Sequence, residues 1–440
     1  MIQETTSDLK ETLVTPSTEA NQENSSPSSV NPPPNESTDD LLTYPQMIKK
    51  MIGSAIPIML SMSIFFCDKS VILYFLNQSD DVATVTSAYG LAGSIFLAII
   101  MAVVMSLNTG LNSRCAQAYG AQNYELVGLL FQRGLIINIS VFIPLLIPIF
   151  YAETLLKVMG ASNEVAYAGA QYIFYSVPGM VGLILFFTMF TLLNACNQFA
   201  IIGIVNTVNA LCYMAIAFVL MGILKMGLIG AAISFSMNFL LNVGLMILII
   251  RYKKALPGVF FWPKKESFQE IWPLLKYEIV VGCMGWFDTI AHTVISILSA
   301  HLPKDDLAGL TIGSNVSNII MPLHIGLSIV TMTYVGNAMG ENSPTKAKRY
   351  FKACLLMTFC FVGLVEILAA FGKYWVLGIF VTPGTNVFEI SLLVLNLSLI
   401  KFPFSCLSSM LSSCVKATAN EKKGVVVVLL CDYLVLLPRG

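Results

Sequence analysis

The sequence predicts an all-α polytopic membrane protein made of two related halves. Three observations carry this. Of 440 residues, 56% are hydrophobic and only 11% charged, with a mean hydropathy of +0.75. Soluble domains carry roughly 25% charged residues, so this chain needs lipid to cover most of its surface. Apolar runs of membrane length recur along almost all of it. A turn sequence near residue 120 also recurs 220 residues later. The net charge of zero gives no electrostatic footprint for nucleic acid. Ten cysteines (67, 115, 196, 212, 283, 354, 360, 406, 414, 431) lie in or beside apolar runs with no C-x-x-C pair, so they read as small packing residues and no metal site is expected.

Residues 1–44 read as a disordered acidic tail. They are rich in Ser, Thr, Asn and Pro and hold eight carboxylates against Lys10. Such a composition buries too little apolar surface to offset its ordering entropy. No basic segment leads into an apolar one, so no cleaved signal peptide is expected. About 20 apolar residues cross a bilayer. Runs of that kind occupy 50–76, 87–113, 129–152, 168–194, 199–222, 227–250, 271–299, 307–335, 353–371 and 388–413, with a short eleventh from 424. With the N-terminus in the cytoplasm, inside segments hold 16 Lys and Arg and outside loops four, the expected bias. That orientation puts the acceptor triplet at Asn77 outside and leaves those at Asn24 and Asn35 inside.

The basic stretch 251–270 divides the chain into a first half (45–250), a linker and a second half (271–440). A shift of 220 lays RCAQAYGAQN (114–123) over YVGNAMGENS (334–343), Gly120 over Gly340 and Gly93-Ser94 over Gly313-Ser314. A shift of 216 lays Pro57 over Pro273. Six spans apart and equally oriented, this is the pattern of a parallel repeat built around a midplane site.

Residues 115–132, CAQAYGAQNYELVGLLFQ, resemble the turn between the second and third helices of the multidrug and toxic compound extrusion (MATE) transporters. YVGNAMGEN (334–342) is similar to the family's later turn, RVGNELGAGN. Pro57, Trp262-Pro263 and Lys416-Ala417-Thr418 with Asn420 extend the resemblance over about 46–438. The resemblance implies two six-helix lobes around a central cavity, and efflux of organic, often cationic, solutes against inward flow of H+ or Na+. It implies no cofactor, no enzyme activity, a small organic solute and the bilayer as partners, and a monomer in a plasma, vacuolar or other endomembrane. Measured against the family the chain stops short of a twelfth helix, which leaves about eleven spans and an incomplete second lobe. The competing expectation is therefore a transport-inactive relative acting as an interaction subunit. A two-lobed lipid-precursor flippase fits less well. No HExxH, paired-Asp or serine-dyad pattern suggests an intramembrane enzyme.

Ionisable residues within spans cost about 2.5–3.5 kcal/mol each on insertion scales and need a reason to be there. Asp68, followed by Lys69, stands where the resemblance places a first-helix cation-site aspartate. The same resemblance matches Asn209 to the Asn of an N-x-x-x-D pattern and puts Tyr213 where that pattern has Asp. In the seventh span the family reads close to CLEWWSFE and this chain reads CMGWFDTI, so Gly285 and Ile290 replace two glutamates. At about 100° per residue, Glu278, Gly285, Asp288 and His292 share an arc of about 80°. Asp288 and His292 are thus expected as a displaced coupling pair able to exchange a proton. Glu278 is expected either as an auxiliary cavity residue or near the cytoplasmic end facing water. His324 reads as packing or a pore donor, and Lys401 as snorkelling to an interface. Lys276, Glu366 and Asp432 have no partner legible in the sequence. Arg114, Gln117, Gly120, Gly336, Asn337 and Gly340 read as scaffold in the two turns.

Overall fold

Helices that cross a bilayer must satisfy every backbone group internally, and the apolar runs do so as α-helices. The computed structural model describes residues 43–76, 78, 81–96, 100–283, 309–310, 312–314, 316–317 and 321–418. In chain order these form α1 (Tyr44–Leu76), α2 (Val82–Phe96), α3 (Ala102–Gly120), α4 (Tyr124–Phe150), α5 (Ala152–Val158), α6 (Asn163–Tyr175), α7 (Val177–Ala195), α8 (Phe199–Ala217) and α9 (Gly227–Tyr252). Then follow α10 (271–283), α11 (Met321–Gly340), α12 (Pro344–Phe380) and α13 (Asn386–Ala417). The described residues contain no strand, and seven of their helices are long and apolar enough to cross a membrane.

The second run holds α2 and, from a π-helical step at 100–101, α3, with 97–99 outside the described residues. One run expected as a single helix is broken. The fourth breaks at Ser176, because Pro178 has no N–H to continue the ladder of α6. The break leaves the Gly179 N–H and the Tyr175 carbonyl without each other. Ser236 of α9 faces both: its Oγ accepts from Gly179 N at 3.1 Å and shares its one proton between the Ala232 carbonyl of its own helix at 3.0 Å and the Tyr175 carbonyl at 3.3 Å. One hydroxyl thus bridges the gap in apolar surroundings.

The first half is built around α7. Its 18-residue window is 78% buried, whereas the other membrane-length helices range from 22% to 44%. A helix apolar on all sides belongs in the interior. Phe187 of α7 meets Phe65 of α1 edge-on with centroids 5.9 Å apart, Phe186 meets Phe239 of α9 edge-on at 5.6 Å, and Phe190 packs beside both along α7. In the second half α11 packs on α12 and α13, and it also reaches back to α1 and α3.

The two turns match residue for residue at the shift of 220. Gln122 and Asn342 both adopt left-handed φ (58° and 54°). Asn123 N bonds Ala118 O as Ser343 N bonds Ala338 O, and Gln122 N bonds Tyr119 O as Asn342 N bonds Met339 O. These are paired Schellman ends. Asn123 then caps α4 and Ser343 caps α12. The linker lies along the start of α4. Arg133 pairs with Glu270 at 3.1 Å, Gln132 Nε2 donates to Phe261 O at 2.8 Å, and Lys264 pairs with Glu125 at 2.8 Å.

Candidate functional site

The first constellation gathers on α1, α8 and α9. Asp68 is half-buried in the middle of α1. Its Oδ2 accepts from Asn238 Nδ2 at 2.9 Å. Asn238 Oδ1 in turn accepts from Asn209 Nδ2. The hydrogen bonds therefore run in one direction, from Asn209 through Asn238 to the carboxylate. Tyr213 lies one turn beyond Asn209 on α8, and its hydroxyl reaches the main-chain carbonyl of Asp68 at 3.4 Å. Asn209, Asn238 and Tyr213 are 5%, 5% and 3% exposed. A turn away, Asn242 Nδ2 donates to Asn206 Oδ1 at 2.8 Å and closes a second rung between α8 and α9. Among the described residues the Oδ1 of Asn209 is buried with no hydrogen-bond partner, so one acceptor remains beside the chain. The arrangement offers a carboxylate and spare oxygen to a small cation or a proton, held by amides that cannot themselves ionise.

The structure brings Asp68, Asn209 and Tyr213 together. The sequence reading missed Asn238, which joins two of them. Its signal was available: a polar residue buried in the apolar run of α9, with Asn242 at i+4. The side chain of Lys69, and all of Asn77, Asp288, His292 and Asp432, lie outside the described residues. His324 packs edge-on against Phe402 with centroids 6.3 Å apart. Lys401 is exposed and Glu366 half-buried. Glu278 corrects one expectation. It does not face water: its relative exposure is 0%, because α10 presses it against Gly110 of α3.

The second constellation is the turn seam, where the residues expected as scaffold reach further than their own turns. Arg114, Gln117 and Gly120 hold the two halves together as well as one hairpin. A Cβ on Gly120 would fall 1.9 Å from the Asn337 carbonyl oxygen, and a Cβ on Gly340 would fall 1.9 Å from that of Gln117. Each turn thus seats its glycine on the backbone of the other. A Cβ on Gly336 would lie 3.0 Å from that of Ala116. The amides exchange as well. Gln117 Nε2 donates to Ala417 O at 2.9 Å, and Ser113 Oγ donates to Lys416 O at 2.6 Å. These are orphan carbonyls at the end of α13. In the amide orientation that satisfies its neighbours, Asn337 donates to Ala116 O at 2.6 Å and to Ala195 O, at the end of α7, at 3.2 Å. Each half therefore caps a helix of the other. Arg114 stacks 4.0 Å over the Tyr277 ring of α10.

An all-helical chain with twin turns locked across two halves, and a buried carboxylate network in one of them, has the build of a polytopic membrane transporter. Comparison with known proteins places it further. The MatE family profile matches residues 54–219 and 286–438, and the chain belongs to that family. The family is one of transporters and not of enzymes. Protein DETOXIFICATION 16 of Arabidopsis thaliana is 24% identical over 398 residues, covering 89% of this chain and 81% of that protein. Multidrug and toxin extrusion protein 1 of Mus musculus is 25% identical over 362 residues, and the chain spans 62% of its length. The crystal structure of the eukaryotic MATE transporter AtDTX14 superposes with a TM-score of 0.80 at 19% identity, covering 90% of this chain and 87% of that one.

Proposed function

We propose that the protein is a secondary active antiporter that exports small organic solutes, often cationic, in exchange for H+ or Na+ by alternating access. The observation that carries this reading is Asp68, a half-buried carboxylate within a membrane helix at the receiving end of the Asn209–Asn238 amide chain. Binding a proton or sodium ion there neutralises it, and releasing the ion restores a charge. A cationic solute and the coupling ion then compete for the same carboxylate. Asn209 and Asn238 hold its rotamer, and Tyr213 fixes the main chain behind it. The turn seam closes one end of the two lobes, 45–250 and 271–440. By the bias of 16 inside against four outside Lys and Arg that end is cytoplasmic, and so is the N-terminus. Asp288 and His292 form the second coupling pair in this reading, which uses no cofactor and works as a monomer. The names of the DETOXIFICATION and multidrug extrusion relatives point to the same class of cargo.

The test is proton- or sodium-driven export of a fluorescent organic cation from vesicles containing the purified protein. Gradient-dependent transport is expected. If neither gradient moves any of a panel of cations, the antiporter reading fails. If Asp68→Asn and Asp288→Asn both transport normally, the site assignment fails while the function stands.

A further inference from the structure

We infer that Glu278 is a proton-binding acid of the seam between the halves, protonated while α3 and α10 are in contact and ionised when they part. The inference rests on the alternating-access reading above, because it needs the seam to open. The contact is built for close approach. A Cβ on Gly110 would fall 2.7 Å from the Cα of Glu278 and 3.0 Å from its Cγ, so only glycine lets the acid's stem lie on α3. About one turn further, Gly282 meets Ser106 in the same way, its added Cβ falling 2.8 Å from that of Ser106. Toward the turns, the Tyr277 hydroxyl donates to Ser113 Oγ at 3.0 Å, and Arg114 covers the Tyr277 ring. These contacts enclose Glu278 at 0% exposure, and among the described residues neither of its carboxylate oxygens has a hydrogen-bond partner.

The surrounding groups explain why a proton is the ligand. On α3 the ionisable neighbours are Arg114, engaged on Tyr277, and Cys115. Cys196 at the end of α7 lies near Cys115. From α13, Lys416 contributes its main-chain carbonyl to Ser113. On α10 itself Lys276 sits 5.2 Å over the Trp272 ring. None hydrogen-bonds the carboxylate. A bare carboxylate here would bear its full desolvation cost, so the closed seam holds the neutral acid. Parting α3 from α10 admits water and lets the proton leave. The ionised side chain cannot re-enter the pocket until a proton returns. Closure therefore consumes a proton at a residue distinct from Asp68, on the other half of the chain.

The test uses the full-length protein in vesicles and reads alkylation of Cys115 by N-ethylmaleimide with peptide mass spectrometry. Cys115 is 0% exposed beside this pocket, so its labelling reports opening. Each rate is divided by that of the denatured protein at the same pH, which removes the thiol's own reactivity. From pH 5.5 to 8.5 the normalised wild-type rate should rise at least about tenfold, which is about 1.4 kcal/mol of seam free energy. In Glu278→Gln, which keeps the shape without the charge, it should stay within about twofold of the acid value. A flat wild-type profile overturns the inference without any variant, and so does a Gln variant that keeps the wild-type rise. Transport measured in parallel separates the two readings. Coupled transport with a flat Cys115 profile sinks this inference alone. A Glu278-dependent rise without transport of any solute sustains it and sinks the antiporter.

Discussion

The reciprocal glycine seats give the sharpest prediction. Gly120→Ala places a methyl 1.9 Å from the Asn337 carbonyl oxygen, and Gly340→Ala places one 1.9 Å from that of Gln117. Non-bonded heavy atoms settle near 3.5 Å, so each turn must retreat by about 1.5 Å. Overpacking of this kind costs about 1–3 kcal/mol. Retreat also stretches the bonds from Gln117 to Ala417 O and from Asn337 to Ala195 O, each worth about 1 kcal/mol. A net shift of about 2 kcal/mol against the closed seam raises the open fraction roughly thirtyfold. Alkylation of Cys196, 0% exposed beside the end of α7, reads that fraction. Both variants should raise its rate by a similar factor, since the two clashes are related by the internal repeat. The double variant should fall far short of the product, because one retreat relieves both clashes. Single variants within twofold of wild type, or a double variant that multiplies the single effects, would refute the reciprocal seat.

Three further outcomes follow from the geometry. Asn238→Ala should lower coupled transport about tenfold and weaken the pH or sodium dependence while Asn242→Ala does less, read by gradient-driven flux, because Asn238 hydrogen-bonds the Asp68 carboxylate whereas Asn242 bonds Asn206. Ser236→Ala removes the partner of both the Gly179 N–H and the Tyr175 carbonyl, so the unfolding midpoint in detergent should drop by several degrees, about 1–3 kcal/mol; an unchanged midpoint would show that the break satisfies itself. At the linker, the hydrogen bond and charge of Glu125 hold the exposed Lys264 ammonium above its usual range. A raised lysine contributes fully below its unfolded value of about 10.4 and loses the contribution as pH climbs through the folded one. Proteolysis within 253–264 should therefore be level from pH 6 to 9, rise above about 10.5, and lose that rise in Glu125→Gln.

Much of this was legible because membrane-length runs and the bias of positive charge follow from the bilayer alone. The spacing of 220 foretold twin turns, which the structure reproduces down to the left-handed Gln122 and Asn342. Asp68, Asn209 and Tyr213 were legible through resemblance and through the cost of polar groups in apolar runs. Asn238 was not, since an asparagine in a span does not say which helix it faces. The break at Ser176 was signalled by Pro178, yet its repair by Ser236 joins residues 61 apart in sequence. Glu278 was left between an auxiliary cavity role and a water-facing end for a related reason. Its place near the start of a span does not decide its burial, and only the bare backbone of Gly110 on another helix makes room to bury it.

The sequence by itself determined the membrane as solvent, the helical class, the repeat and the family, because composition, run length and motif spacing act locally. The tertiary structure decided how the repeats meet: each turn's glycine on the other's carbonyl, each turn's amide on the end of the other half's helix. Which surfaces lie together depends on how helices cross, and hydropathy along one chain does not encode that.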